Sequence, residues 1–128
     1  MPNQTSIRDE VLAKLDANIT YIRERFGIES LGIFGSVARG EDTAESDVDV
    51  IYEFRPEYDT YDTYVDLSEY LEHLFGRSVD LVSPQYLKPR VRPYVMQEVI
   101  FCEASRADAL HPMMFSPILM TFVFSLNM

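Results

Sequence analysis

Hydrophobic residues recur at spacings of three and four near the start of the chain, which is the period of an amphipathic helix. Ser6 and Asp9 stand at the head of this stripe as an S-x-x-D pattern, a close variant of the capping box. Gly27 follows the last apolar position, where glycine commonly ends a helix. The pattern therefore predicts a helix of about five turns, with an apolar stripe of Ile7, Val11, Leu15, Ile19, Ile22 and Phe26.

The next segment combines a short apolar stretch with glycine. The residues around Leu31 and Ile33 predict a short strand that ends at Gly35-Ser36. The three residues that follow, VAR, predict one helical turn, which Gly40 closes. This part of the chain is therefore expected to run from a strand directly into a helix start.

A polar loop and a two-faced strand come next. Glu41–Ser46 is the predicted loop, and Asp47–Phe54 (DVDVIYEF) alternates in character. Successive side chains of a strand point to opposite faces. One face is therefore apolar, and the other begins with the carboxylates of Asp47 and Asp49.

The second half of the chain predicts two more helices and one more strand. A helix is expected over Thr60–Phe75, a strand over Ser78–Val82 with Asp80 inside it, and a helix near Val91–Val99. The order helix, strand, strand, helix, strand, helix predicts an α+β fold, a small mixed β-sheet with helices packed on it. The expected domain covers residues 1–106, followed by an apolar C-terminal extension over residues 107–128.

Composition and charge limit the classes of molecule that this chain is expected to bind. The 128 residues carry 11 basic and 21 acidic side chains, a net charge of −10, which would repel a nucleic-acid backbone and is easier to reconcile with a divalent cation or a basic protein. The start of the chain has no signal-peptide pattern. The apolar stretch Met113–Leu126 is shorter than the roughly 20 residues of a spanning helix. A single cysteine, Cys102, excludes an internal disulfide and is expected to be buried. We therefore expect a cytoplasmic protein that binds neither membrane nor nucleic acid directly.

The spacing of Asp47 and Asp49 suggests a cation-binding site. Two ionised carboxylates this close repel each other unless a cation lies between them, and oxygen ligands suit Mg²⁺. A solvated edge strand is the ordinary alternative. Gly35-Ser36 at a helix start offers backbone N–H groups and a hydroxyl to a phosphate, although a tight turn alone would also explain Gly35. Together the two patterns favour a site for a metal–nucleotide complex.

The arrangement Gly35-Ser36, ten residues, then Asp47-Val48-Asp49 resembles the signature of the DNA polymerase β-like nucleotidyltransferases. The longer string GSVARGEDTAESDVDV resembles that of their smallest members, the minimal nucleotidyltransferases (MNT) of prokaryotic toxin–antitoxin pairs. The resemblance covers roughly residues 5–105. It implies the same α+β fold and a third carboxylate on a later strand, for which Asp80 is the position that fits.

By this resemblance, Asp47 and Asp49 bind two Mg²⁺ ions that carry the nucleoside triphosphate, and Asp80 holds the catalytic metal and helps to deprotonate the attacking hydroxyl. Mn²⁺ accepts the same ligands. Ser36 and the Gly35 backbone would hold the outgoing phosphates. Arg39, one short turn later, could reach a triphosphate oxygen or form a surface salt bridge.

The resemblance further implies an antitoxin that acts in a heteromeric complex with a HEPN-domain RNase toxin. It would transfer AMP from ATP to a tyrosine hydroxyl of that toxin. Two alternatives stay open from the sequence: an antitoxin that neutralises by binding and occlusion, and a nucleotidyltransferase acting on a small molecule such as an aminoglycoside.

Overall fold

A computed structural model describes residues 5–102. The helices are α1 (Arg8–Phe26), α2 (Gly35–Arg39), α3 (Tyr61–Phe75) and α4 (Arg92–Glu98), and the strands are β1 (Ile28–Phe34), β2 (Val48–Phe54), β3 (Val79–Val82) and β4 (Ile100–Phe101). Single 3₁₀ turns cover Pro56–Tyr58 and Pro84–Tyr86. The predicted boundary at residue 106 and the apolar stretch Met113–Leu126 lie outside the described residues.

The four strands form one mixed sheet in the order β3-β2-β1-β4. β1 pairs antiparallel with β2 and with β4, whereas β2 and β3 are parallel and are connected through α3. The α+β fold with a small mixed sheet is thus confirmed. The sequence prediction omitted β4, because a strand of two residues is too short to produce a recognisable alternation.

The core lies between the sheet and the two long helices. The apolar stripe of α1 and the inner residues of α3, Leu67, Leu71 and Phe75, are buried. Val48 and Val50 meet them from the apolar face of β2, and Cys102 is buried as expected. This packing leaves the ends of β2 and β3 that carry the carboxylates near the surface of the domain.

The helix starts differ in how they are capped. Thr60 caps α3 by accepting a hydrogen bond from the Thr63 N–H at 3.1 Å. The capping box predicted for α1 is wrong: Ile7 is the residue at the helix start and its side chain makes no cap, whereas the Ser6 hydroxyl accepts a hydrogen bond from the Arg8 N–H, the first of the helix, at 3.0 Å. The Ser6 hydroxyl also donates to Asp42, and the second half of the box is missing because Asp9 pairs with Arg8 instead of reaching back to the helix start.

Among residues 5–102, no helix combines the length and the apolar character needed to cross a membrane.

Candidate active site

The sheet brings together the three aspartates that the sequence singles out. Asp47 directly precedes β2, and Asp49 is the second residue of that strand. Asp49 pairs in register with Asp80 on β3. Neighbouring strands lie about 4.8 Å apart, so these two carboxylates start from adjacent backbone positions although 31 residues separate them in the sequence.

Gly35 lies directly against Asp49. β1 ends at Phe34, which pairs with Asp49 across the antiparallel ladder, and Gly35 begins α2. The Gly35 φ angle is +74°, and a Cβ atom at this position would overlap the Asp49 Oδ2 atom. Glycine is therefore required here twice over, for its left-handed backbone and for the close approach of the carboxylate.

Asp49 is the electrostatically perturbed member of the trio. Partial burial, followed by the negative charges of Asp80 and Asp47, raises the pKa of Asp49 to about 6. The guanidinium of Arg39 opposes this shift but does not cancel it. The ionised form of Asp49 is thus held at a free-energy cost, which a bound cation would remove.

This perturbation predicts a pH-dependent gain in stability for Asp49→Asn. The folded-state pKa of about 6 lies above the ordinary value of 3.8, so the cost is absent below pH 4 and fully present above pH 6. At pH 7 without divalent cations, the variant should be more stable than the wild type by about 1–2 kcal/mol, allowing for solvent screening. Urea unfolding with EDTA at pH 4 and pH 7 measures the difference, and a gain that is equal at both values would contradict this origin.

The donor set suits Mg²⁺ without forming a closed metal cage. Within residues 5–102, no three His, Cys, Asp or Glu side chains are gathered closely enough to hold a metal ion by themselves. Asp47 and Asp80 are exposed, and Asp49 is half-buried. Mg²⁺ in phosphoryl-transfer sites usually takes one or two carboxylates and completes its shell with water and substrate phosphates. The residues present therefore fit a metal that arrives with a nucleotide.

Arg39 and Gly35 share an acidic partner that the sequence did not suggest. Arg39 forms ion pairs with Glu41 and Glu98, each at 3.0 Å. The Gly35 N–H donates to Glu98 Oε2 at 2.9 Å. Ser36, the other residue of the predicted phosphate cradle, is half-buried at the start of α2. No local motif marks Glu98, because it lies 63 residues from Gly35 and contacts it only through the fold.

Arg77 fixes the loop that leads to Asp47. Arg77 donates from Nη2 to the carbonyl oxygens of Thr43 and Ser46, both at 2.7 Å. The Ser46 hydroxyl accepts from the Thr43 N–H at 2.9 Å. Ser46 therefore orders this loop, and the residue immediately before Asp47 is held from two sides.

This chain is similar in sequence to several known proteins. The family described as "nucleotidyltransferase domain" matches residues 15–102. The protein adenylyltransferase MntA of Thermococcus cleftensis is 40% identical over 93 residues, which is 73% of this chain and 93% of that protein. A protein of Methanocaldococcus jannaschii, proposed to be a protein adenylyltransferase, is 35% identical over 82 residues, 62% of this chain and 82% of its own length.

Two solved structures share the fold. One, proposed to be a minimal nucleotidyltransferase, is 37% identical with a TM-score of 0.62 and covers 71% of this chain and 92% of its own. The other comes from a toxin–antitoxin crystal with AMP-PNP and has a TM-score of 0.54, covering 73% of this chain and 76% of its own. At 16% identity, the second likeness concerns the fold alone.

Proposed function

Because this chain belongs to the nucleotidyltransferase domain family and is a homologue of the MntA protein adenylyltransferase, we propose that it is an antitoxin enzyme. It transfers AMP from ATP to a tyrosine hydroxyl of a HEPN-domain RNase toxin and thereby silences the toxin.

One observation carries the proposal, the meeting of Asp49 with Asp80 and Gly35. Three segments that are distant in sequence converge there: the end of β1, the start of β2 and the parallel neighbour β3. Burial and the neighbouring carboxylates hold the pKa of Asp49 at about 6. Here a carboxylate with a raised pKa is repelled by its neighbours and lies in close contact with a glycine. This arrangement is typical of a functional site rather than of a solvated edge strand.

In this proposal Asp47, Asp49 and Asp80 would hold two Mg²⁺ ions, or Mn²⁺ in their place, together with the phosphates of the nucleotide. Bound there, the ions would supply positive charge to the triphosphate and its transition state. Burial and the charges of Asp80 and Asp47 raise the pKa of Asp49 to about 6, and a bound cation would favour its ionised form. The protein side chains contribute mainly position and charge, as is usual in phosphoryl-type transfer.

The phosphates that leave would be held by the α2 side of the site. The Ser36 hydroxyl can donate to a phosphate oxygen, and Arg39 supplies a positive charge close enough to lower the pKa of Asp49. Gly35 contributes through its missing side chain, since its N–H already donates to Glu98. In this proposal Ser36 and Arg39 bind the phosphates, and Gly35 completes the nucleotide site by leaving room for the Asp49 carboxylate.

The proposed reaction forms one bond, breaks one bond and releases one proton. The phenolic oxygen of the toxin forms a bond to the α-phosphorus of ATP, and the bond from that phosphorus to the bridging α–β oxygen breaks. Pyrophosphate leaves toward Ser36 and Arg39. Asp80, exposed on β3, would accept the phenolic proton and pass it to solvent.

A protein substrate fits the surface properties of this chain. The net charge of −10 favours a basic partner over a nucleic-acid strand. Asp47 and Asp80 are exposed, so a side chain presented by another protein can reach them. The relative MntA bears the name of a protein adenylyltransferase, which supports a protein hydroxyl as acceptor.

Intact mass spectrometry tests the proposal. A co-expressed HEPN toxin is incubated with this protein, ATP and Mg²⁺, in parallel with the Asp47→Asn/Asp49→Asn variant. We expect the toxin to gain mass in steps of one adenylate with the wild type only. Tandem fragmentation of the toxin should locate the adenylate on tyrosine.

Two other outcomes would overturn it. A silenced toxin without added mass would support neutralisation by occlusion. Labelled ATP consumed with an aminoglycoside, but not with the toxin, would support transfer to a small molecule.

A further inference from the structure

Glu98 ends α4 and contacts the candidate active site from outside the sequence motif. Its Oε2 atom accepts a hydrogen bond from the Gly35 N–H at 2.9 Å, and its Oε1 atom accepts one from Arg39 Nη1 at 3.0 Å. The side chain is 29% exposed, much less than a typical surface glutamate. One carboxylate therefore joins the end of α4 to both ends of α2.

Two carboxylates hold the Arg39 guanidinium by different edges. Glu41 accepts from Nε at 3.0 Å, and Glu98 accepts from Nη1 at 3.0 Å. A guanidinium carries N–H donors on three nitrogens. Nη2 donates to no oxygen of residues 5–102. The arrangement fixes the orientation of Arg39 and leaves one nitrogen for another oxygen ligand.

Close backbone packing places Glu98 near β1. β4 pairs with β1 at Gly32 and Ile33. A Cβ atom on Gly32 would lie 2.8 Å from both the Ile100 carbonyl oxygen and Val99 Cγ1. Only glycine at this position lets the segment after α4 approach so closely. This close packing brings the end of α4 next to the end of β1, where the Glu98 side chain reaches the Gly35 N–H.

We propose that Glu98 is a positioning residue for nucleotide binding. It fixes the Gly35 backbone with one oxygen and orients Arg39 with the other, so that Nη2 is available to a triphosphate oxygen. An isolated surface ion pair would do this poorly, because both side chains are flexible. Glu98 differs because a backbone N–H holds its second oxygen. The inference rests on the proposed function, since it assumes that Arg39 meets the triphosphate.

Mg·ATP affinity, measured by titration calorimetry on the full chain, tests the role. Glu98→Gln keeps an acceptor for the Gly35 N–H but removes the charge that orients Arg39. We expect it to weaken Mg·ATP binding about tenfold. The matched control Glu41→Gln removes an ion pair from the same guanidinium without touching Gly35, and it should weaken binding by only about twofold.

A double-mutant cycle separates positioning from general structural damage. In an Arg39→Ala background, Glu98→Gln should have no further effect on Mg·ATP affinity, because the two residues act as a unit. Glu98→Asp, which keeps the charge but shortens the side chain, is the second variant and should weaken binding as Glu98→Gln does.

Three results would overturn the inference: unchanged affinity in Glu98→Gln, additive losses in the cycle, or tighter binding in Glu98→Gln. The last would mean that the carboxylate competes with the phosphates. Absence of Mg·ATP binding to the wild type would instead contradict the proposed function itself.

Discussion

Replacing Asp47 and Asp49 together by asparagine is expected to lower the rate of AMP transfer at least about a thousandfold. Asparagine keeps the size of the side chains and one oxygen each, but it removes both negative charges. Without them the site cannot neutralise two divalent cations, and the triphosphate loses the charge that stabilises its transition state. Single-turnover transfer from labelled ATP to the toxin measures the rate.

Glu53→Gln is the matched control for this double variant. Glu53 lies on the same strand, is exposed and accepts a hydrogen bond from the Ser30 hydroxyl at 3.0 Å. Its neutralisation should change the transfer rate by no more than about twofold. If the double variant kept transfer within tenfold of the wild type, the carboxylates would not be the centre of the reaction.

Gly35→Ala is expected to have the second largest effect, a loss of transfer of about a hundredfold. The new methyl group would overlap Asp49 Oδ2 and lie 3.0 Å from Asp49 Cγ, so the carboxylate must move away. The positive φ angle of +74° adds backbone strain of about 1–2 kcal/mol. Transfer rates and urea unfolding, measured on the same preparations, separate the two consequences.

Gly76→Ala is the control that separates backbone strain from the contact with Asp49. Gly76 ends α3 with a φ angle of +68°, and a Cβ atom there would meet nothing within 4 Å. This variant should lose stability by a similar amount while keeping wild-type transfer. Equal transfer by the two alanine variants would show that the contact between Gly35 and Asp49 does not matter for activity.

The parts of the site that depend on local pattern could be predicted from the sequence. The alternation of DVDVIYEF placed Asp47 and Asp49 at the start of a strand, and glycine marked the turn into α2. Asp80 was identifiable because it interrupts a short apolar strand and because the family resemblance asks for a third carboxylate. These inferences needed only neighbouring residues or a known motif.

The parts that depend on contact across the fold could not be predicted. Glu98 sits in YVMQEVIF without any spacing that links it to Gly35, and its role depends on how closely β4 approaches Gly32. The sequence gives no sign that the pKa of Asp49 lies near 6. Burial and the charge of Asp80 cause this shift together, and both depend on the fold. Such properties follow from strand order, which periodicity does not determine.

The strand order also gives the proposed reaction a direction. Along β3-β2-β1-β4, the groups follow one another as Asp80, Asp49, Gly35 and finally Glu98 beside β4. An in-line displacement has its attacking and leaving groups on opposite sides of the phosphorus. With the roles proposed above, the acceptor would approach from the β3 border and pyrophosphate would depart toward α2 and α4. A protein acceptor could thus dock at the rim of the sheet while product leaves from the far side.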